Sequence, residues 1–269
     1  MPGFVDTTTV TPAGPDNWTA WIPGEWGQGR AVFGGVITGV ALRALGGLVS
    51  AERPLRSVLV DFIGPAAAGE IRVEARVLRS GRSLTQCEAR VLQGDAVVAV
   101  LLAAYGGPRP TGITWPAPVR GAVPSPDGLP GFPYMPGVTP AFTQHFDYRW
   151  ATHRLPFSGS DRPEIQGFVR PTGGREAVDA AMLLALIDAW PAPVLSMAQG
   201  LVPASTVTWM VDVVGPLEPA AEDDRFWWFE GAATAAGDGY GDVHGRIFDP
   251  DGRLIATSKQ LVAEFSKPA

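Results

Sequence analysis

Asp188 is the residue of this sequence best placed for acid–base chemistry. It lies near the end of the stretch GREAVDAAMLLALIDAW, residues 174–190, which reads as a helix. Ala180 to Ile187 are all apolar, so this helix can be buried nearly all round. Glu176 and Asp179 fall in its first turns, where the positive end of the helix dipole favours a carboxylate. Asp188 falls in the last turn, where the dipole opposes it. At about 100° per residue it shares the stripe of Ala181, Leu184 and Ala185. A carboxylate set against burial and dipole alike costs stability, and groups held in that way mark functional sites more often than chance. The other reading is a frayed helix end with Asp188 in water ahead of Pro191. From this stretch alone the two stand level.

The remaining reactive residues offer less. Cys87 lies on the apolar face of an alternating strand and reads as core packing rather than a nucleophile. His145 and His153 share one predicted strand and His244 lies on a later one; no metal-ligand spacing emerges, and structural or surface roles are expected for all three. Arg79, Arg82 and Ser83 surround a hairpin turn, where solvated charge is the plain reading and phosphate contact the second. There is no G-x-S-x-G elbow, P-loop, H-E-x-x-H or G-x-G-x-x-G fingerprint, and no cofactor is implied.

Composition bounds the class. The 269 residues suffice for one large or two small cores, and 46 % hydrophobic with 18 % charged residues describes a globular chain. A net charge of −6 without a Lys/Arg cluster argues against a nucleic-acid partner. The single cysteine excludes an intrachain disulfide and fits a reducing compartment. The first residues lack the charged and apolar regions of a signal peptide, and the longest apolar helix is broken by Arg43, Gly46 and Gly47, so no membrane partner is expected. These readings point to a soluble, cytoplasmic protein.

Positioning elements follow from periodicity. Residues 1–15 read as a loose leader and Asn17–Ile22 as a short strand. Phe33 to Val49 reads as a glycine-bearing helix whose first-turn N–H groups, near Gly34 and Gly35, could approach a ligand. Strands are predicted at 55–63, 71–77, 84–92 and 96–105. Residues 106–140 hold ten prolines and seven glycines and read as a stiff linker. Thr143–Arg154 and Ile165–Arg170 read as strands, and the helix bearing Asp188 follows. Four more strands are expected at 204–214, 225–235, 240–248 and 253–265.

The second half repeats the first. The strand after each helix ends Val60-Asp-Phe-Ile-Gly-Pro65 and Val211-Asp-Val-Val-Gly-Pro216, and each last hairpin turns through glycine, Gly94 and Gly252. One helix and a four-stranded antiparallel meander, twice, predicts an α+β fold: a tandem (double) hotdog, two antiparallel sheets each wrapping a central helix. The expected divisions are 1–107, 108–140 (linker) and 141–269. Counting from these landmarks pairs Thr206 with Leu55 and Gln260 with Leu102, while the first helix has no acidic residue after Phe33. Asp188, Thr206 and Gln260 are therefore polar where the first copy is apolar. If one half carries chemistry, they are its candidates.

The runs Gly29-Arg-Ala-Val-Phe-Gly-Gly-Val36, Phe62-Ile-Gly-Pro65, Val77-Leu-Arg-Ser-Gly-Arg-Ser83 and Val91-Leu-Gln-Gly94 resemble the first half of the acyl-CoA thioesterase II family. The second half resembles it in Leu186-Ile-Asp188, Ala204-Ser-Thr206, Asp251-Gly-Arg-Leu-Ile-Ala256 and Gln260. The resemblance implies hydrolysis of acyl-CoA thioesters, with Asp188, Thr206 and Gln260 holding the attacking water. Gly34 and Gly35 are expected near the carbonyl oxygen, and Arg82, Ser83 and Ser205 are further binding candidates. Ser205 and Thr206 face opposite sides of a strand, so only one can face Asp188. The segment from Asp188 to Thr206 departs from the family in being short and in holding Pro191 and Pro193. Two rivals remain: a non-catalytic acyl-thioester binder, and a hotdog enoyl-thioester hydratase or dehydratase, which would need a histidine beside an Asp. Homo-oligomers through hotdog sheet edges are expected.

Overall fold

Long alternating strands separated by glycine turns dictate hairpins, and hairpins dominate the computed structural model, which describes residues 2–173, 176–217 and 224–266. The first half runs α1 (Phe4–Thr8), β1 (Thr11–Gly14), β2 (Asn17–Ile22), the short pair β3 (Gly27–Gln28) and β4 (Ala31–Val32), and α2 (Gly34–Gly46). It continues with β5 (Leu55–Phe62), β6 (Gly69–Ser80), β7 (Leu84–Gln93) and β8 (Ala96–Gly106). The second half runs β9 (Phe146–Trp150), β10 (Glu164–Pro171), α3 (Ala180–Asp188), β11 (Ala204–Val213), β12 (Trp227–Gly237), β13 (Tyr240–Phe248) and β14 (Leu254–Glu264).

Twelve of the strands form one antiparallel sheet in the order β1-β2-β6-β7-β8-β5-β11-β14-β13-β12-β10-β9, where the sequence suggests two separate sheets, and β3 and β4 pair only with each other. The halves join edge to edge at β5 and β11, with Val58 opposite Val211 and Val60 opposite Trp209. Each half also gives this sheet two strands before its helix, β1 and β2 or β9 and β10. The supposed leader holds α1 and β1 because Phe4 is an anchor: it is buried, meets Trp26 edge-on and packs where Gly39 of α2 leaves room. Glu176 accepts the backbone N–H groups of Phe4 and Val5 and so caps α1.

Helices α2 and α3 lie antiparallel against the inner face of the sheet. A Cβ on Gly35 would sit 2.9 Å from Ala185 Cα, which is how the helix axes approach so closely. Helix α3 starts later than the sequence suggests. Asp179 is its N-cap, accepting from the Met182 N–H at 3.0 Å; Glu176 precedes the helix, and Gly174 and Arg175 lie outside the described residues. Asp179 also pairs with Arg43 at the C-terminal end of α2.

The proline-rich linker lacks strands but is not a free spacer. The Arg120 N–H donates to the Gly252 carbonyl at 2.8 Å, and Val123 and Leu129 pack on Phe168, Trp228, Phe248 and Leu254. It thus covers aromatic residues on the outer face of the second half. The predicted strand at 143–154 is reduced to β9, leaving His145 at the end of a 3₁₀ turn and His153 beyond the strand.

Candidate active site

Where α3 ends, α2 begins, and Asp188 lies between them. A Cβ on Gly34 would come 2.8 Å from Asp188 Oδ2 and 3.2 Å from Phe62 Cζ, so the carboxylate and the Phe62 ring flank a glycine whose place a larger residue takes only by displacing them. The Gly35 N–H donates to the carboxylate. Asp188 thus sits at the wrong end of its own helix dipole but at the favourable end of its neighbour's. Burial nevertheless prevails over this hydrogen bond and pushes its pKa up to about 7. Among the described residues no cation offsets that burial. Tyr148, on β9, is close enough for Asp188 to add to the upward shift that burial gives its phenol, and its hydroxyl donates to the Ala189 carbonyl at 3.1 Å.

Strand register places the other two candidates. On β14, Ala256, Ser258, Gln260 and Val262 share the inner face by alternation. Gln260 stands opposite buried Trp209 of β11 and Val243 of β13, and Thr206 stands opposite buried Val262. A bulge at Val207 separates Thr206 from Thr208. Thr206 is therefore on the inner face, while Ser205, opposite Ala263, is on the outer, exposed one. Among the described residues no hydrogen bond joins Asp188, Thr206 and Gln260 directly. Register also corrects the counterpart of Gln260. Trp209 pairs with Gln260 as its repeat partner Val58 pairs with Ala103, so the buried Ala103 is equivalent, not Leu102. Leu102 faces outward, 47 % exposed, and counting along the hairpin misses the shift introduced by bulges.

The other sequence candidates fall elsewhere. Gly34 and Gly35 adjoin Asp188, but the Gly35 N–H is engaged by the carboxylate. Arg82 and Ser83 lie on the β6–β7 turn, tied by Arg53 to the opposite end of α2: Arg53 Nη2 donates to the Gly81 and Arg82 carbonyls at 2.9 and 3.1 Å. A cavity of about 190 Å³ lined by Arg53, Leu42, Arg43 and Asp179 marks that end. The length of α2, about 18–20 Å, separates it from Gly34. Cys87 is buried and burial raises its thiol pKa. His145 stacks on Trp26 at 3.8 Å, and burial lowers its pKa; His244 pairs with Asp242 at 2.9 Å on the outer face. Among the described residues no cluster of His, Cys, Asp and Glu could hold a metal ion, and no helix is long and apolar enough to cross a membrane. Phe62 and Tyr148 are the neighbours that sequence reasoning missed. Phe62 is inside the Val60–Pro65 landmark, whose repetition was a signal of place rather than of chemistry.

With this geometry fixed, the chain can be compared with known proteins. The family description of the acyl-CoA thioesterase N-terminal domain matches residues 22–106, and that of the acyl-CoA thioesterase C-terminal domain matches residues 124–263. Curated proteins give no match. A conserved protein of unknown function with a hot dog fold from Alicyclobacillus acidocaldarius superposes with a TM-score of 0.86, at 24 % identity over 98 % of each chain. A candidate thioesterase II from Thermobifida fusca gives 0.83, at 22 % identity over 99 % of each chain. The acyl-CoA thioesterase II TesB2 of Mycobacterium marinum gives 0.76, at 17 % identity over 98 % of this chain and 99 % of its own. At such identities these likenesses establish the hotdog fold.

Proposed function

The chain belongs to the acyl-CoA thioesterase family and is an acyl-CoA thioesterase, and from that premise we propose that Asp188, Thr206 and Gln260 form its hydrolytic site. Asp188 is the general base. With its pKa raised to about 7 it is ionised in a useful fraction at neutral pH yet far more basic than an ordinary Asp. It takes a proton from a water that attacks the thioester carbonyl. The tetrahedral intermediate then collapses, the C–S bond breaks, and the thiolate of CoA recovers the proton. Thr206 and Gln260, sharing the inner face, orient the water, since each can donate and accept. The Gly35 N–H holds Asp188 in place, which leaves the Gly34 N–H as donor to the developing oxyanion. Ser205 points away, and Arg82 and Ser83, at the far end of α2, take no part in the chemistry.

The observation that carries this reading is the Asp188 carboxylate buried against Gly34 and Gly35 with no cation among the described residues to neutralise it. A hydratase finds no histidine beside Asp188 among the described residues: His145 is stacked on Trp26, and the His244–Asp242 pair is on the outer face. We read each half as one hotdog unit, 1–107 and 141–269, fused through the linker into a tandem fold. We also read the enzyme as a cytoplasmic homo-oligomer that pairs through the open edges β1 and β9; light scattering of a strict monomer would remove that part. The test of the site is CoA release from acyl-CoA by the wild type and by Asp188→Ala. Loss of at least about a hundredfold in kcat is expected, and hydrolysis unchanged in the variant would remove Asp188 from the mechanism.

A further inference from the structure

The segment after Asp188 carries Pro191 and Pro193, and the structure shows where it goes. Helix α3 stops at Asp188, and the chain continues over the inner face of the sheet through a 3₁₀ turn, Pro193–Ser196. Three side chains fill the floor beside the site. Trp190 stacks on Phe229 with ring centroids 5.5 Å apart, and it occupies the space over Gly167, where a Cβ would lie 2.7 Å from its ring. The Phe229 ring in turn lies over Gly231 and Gly245, each of whose Cβ would come 2.9 Å from it. Val194 sits on Gly241, where a Cβ would come 2.5 Å from Val194 Cγ1. Gly241 is directly opposite Val262, which is opposite Thr206, and Val243 is directly opposite Gln260. Val194, Val243 and Val262 form one buried cluster.

Glycines at four positions on adjacent strands are costly in a sheet and mark a close approach by something packed on them. On Gly167 and Gly241 that something is Trp190 and Val194 of segment 190–194, and on Gly231 and Gly245 it is the Phe229 ring on which Trp190 stacks. An acyl group whose carbonyl meets the water oriented by Thr206 and Gln260 extends inward over these same rows, because the strand's other face carries Ser205 and opens outward. We infer that Trp190 and Val194, seated on this glycine floor, form a plug that restricts the enzyme to short-chain acyl thioesters. The inference rests on the assignment of the site to Asp188, Thr206 and Gln260, and deepens it by naming the substrate class. In a close-packed interior each methylene that finds no room is resisted, and a chain longer than the free space is discriminated against steeply.

Two series test it, one catalytic and one that needs no catalysis. Initial rates are measured on acetyl-, butanoyl-, hexanoyl-, dodecanoyl- and hexadecanoyl-CoA for wild type, Val194→Ala and Trp190→Ala, with circular dichroism and thermal melts to establish that each is folded. Binding of the matching S-alkyl-CoA thioethers is measured by calorimetry on wild type, Val194→Ala and Asp188→Asn. The plug predicts kcat/KM at least about tenfold higher on butanoyl- than on dodecanoyl-CoA, a Kd that weakens with chain length, and a shift of both optima to longer chains in Val194→Ala. Trp190→Ala widens the floor further if it folds; Val194→Ala decides alone if it does not. A wild type that prefers dodecanoyl- or hexadecanoyl-CoA, or a folded Val194→Ala with an unchanged length profile, overturns the plug while leaving the catalytic reading standing. Hydrolysis undiminished in Asp188→Asn overturns the catalytic reading, and the thioether series still judges the plug.

Discussion

The two ends of the α2–α3 pair are built from the same parts and put to opposite uses. At one end Arg43 closes α2 and Asp179 opens α3. Each charge is at the end its own helix dipole favours, and the two are paired. At the other end the charge is on the closing residue of α3, where its helix opposes it, and it faces two glycines instead of a cation. The first arrangement is what a chain selected for stability alone would adopt. The second gives stability away in return for a carboxylate whose pKa lies within the working range of a base. Burial by itself does not distinguish the two ends; the identity of the facing residue does.

Transplanting the first half's residues into the second should erase activity most completely. Thr206→Leu combined with Gln260→Ala copies Leu55 and Ala103, and kcat is expected to fall by roughly a hundredfold to a thousandfold with the fold retained. A double variant that keeps wild-type turnover breaks the comparison between the halves. The pH profile sharpens it. Since the base must be ionised, log(kcat/KM) should rise with unit slope and level off above the Asp188 pKa of about 7.

Stability must run the other way. The folded-state pKa is raised above the ordinary Asp value, so the folded protein binds a proton the unfolded chain has already lost. This favours the fold fully below about pH 4 and is lost as pH rises through about 7. Asp188→Asn, which does not titrate, should therefore gain on the wild type between those limits. The gain by pH 8 is of order 2–4 kcal/mol in denaturant melts. Equal pH dependence in the two proteins would mean that Asp188 is not held against its ionisation.

Adjacent glycines should separate the two roles. Gly34→Ala places a methyl against Asp188 Oδ2 and the Phe62 ring, both side-chain atoms that can give way, so activity is expected to fall by roughly tenfold or more with little change in Tm. Gly35→Ala meets the Ala185 backbone and should cost about 1–3 kcal/mol of stability. The smallest effect belongs to the paired end: Asp179→Ala removes an N-cap and a half-exposed ion pair for about 0.5–2 kcal/mol, with kcat held within a few-fold.

Much of this was legible in the sequence, for identifiable reasons. Alternation marked the long strands, and the repeated Gly-Pro landmarks aligned the halves, because both are local patterns. Asp188 stood out because it violated the local rules for its helix. The single continuous sheet was not legible, since the β5–β11 pairing joins segments about half the chain apart. Nor was the place of Phe62, whose ring flanks Gly34 together with Asp188 from the other half. The N-terminal residues looked unstructured because α1 is too short to show a period; Phe4, reaching Trp26 and Gly39, and the Glu176 cap fasten them. Pro191 and Pro193 signalled only that something differed after Asp188, and the inner-face glycines acquire meaning once Trp190 and Val194 are seen on top of them.

The seam between β5 and β11 has a consequence for how the two ends came to differ. Val58 opposite Val211 and Val60 opposite Trp209 place the junction about a local twofold axis that relates one half to the other. Two separate, identical half-chains meeting at such an axis would be obliged to carry the same residue at both helix ends: Arg43 twice or Asp188 twice. Joining them in one polypeptide lifts that obligation. One copy can be tuned for cohesion while its twin is released to become reactive, and a mutation that helps either role no longer has to be tolerated by the other.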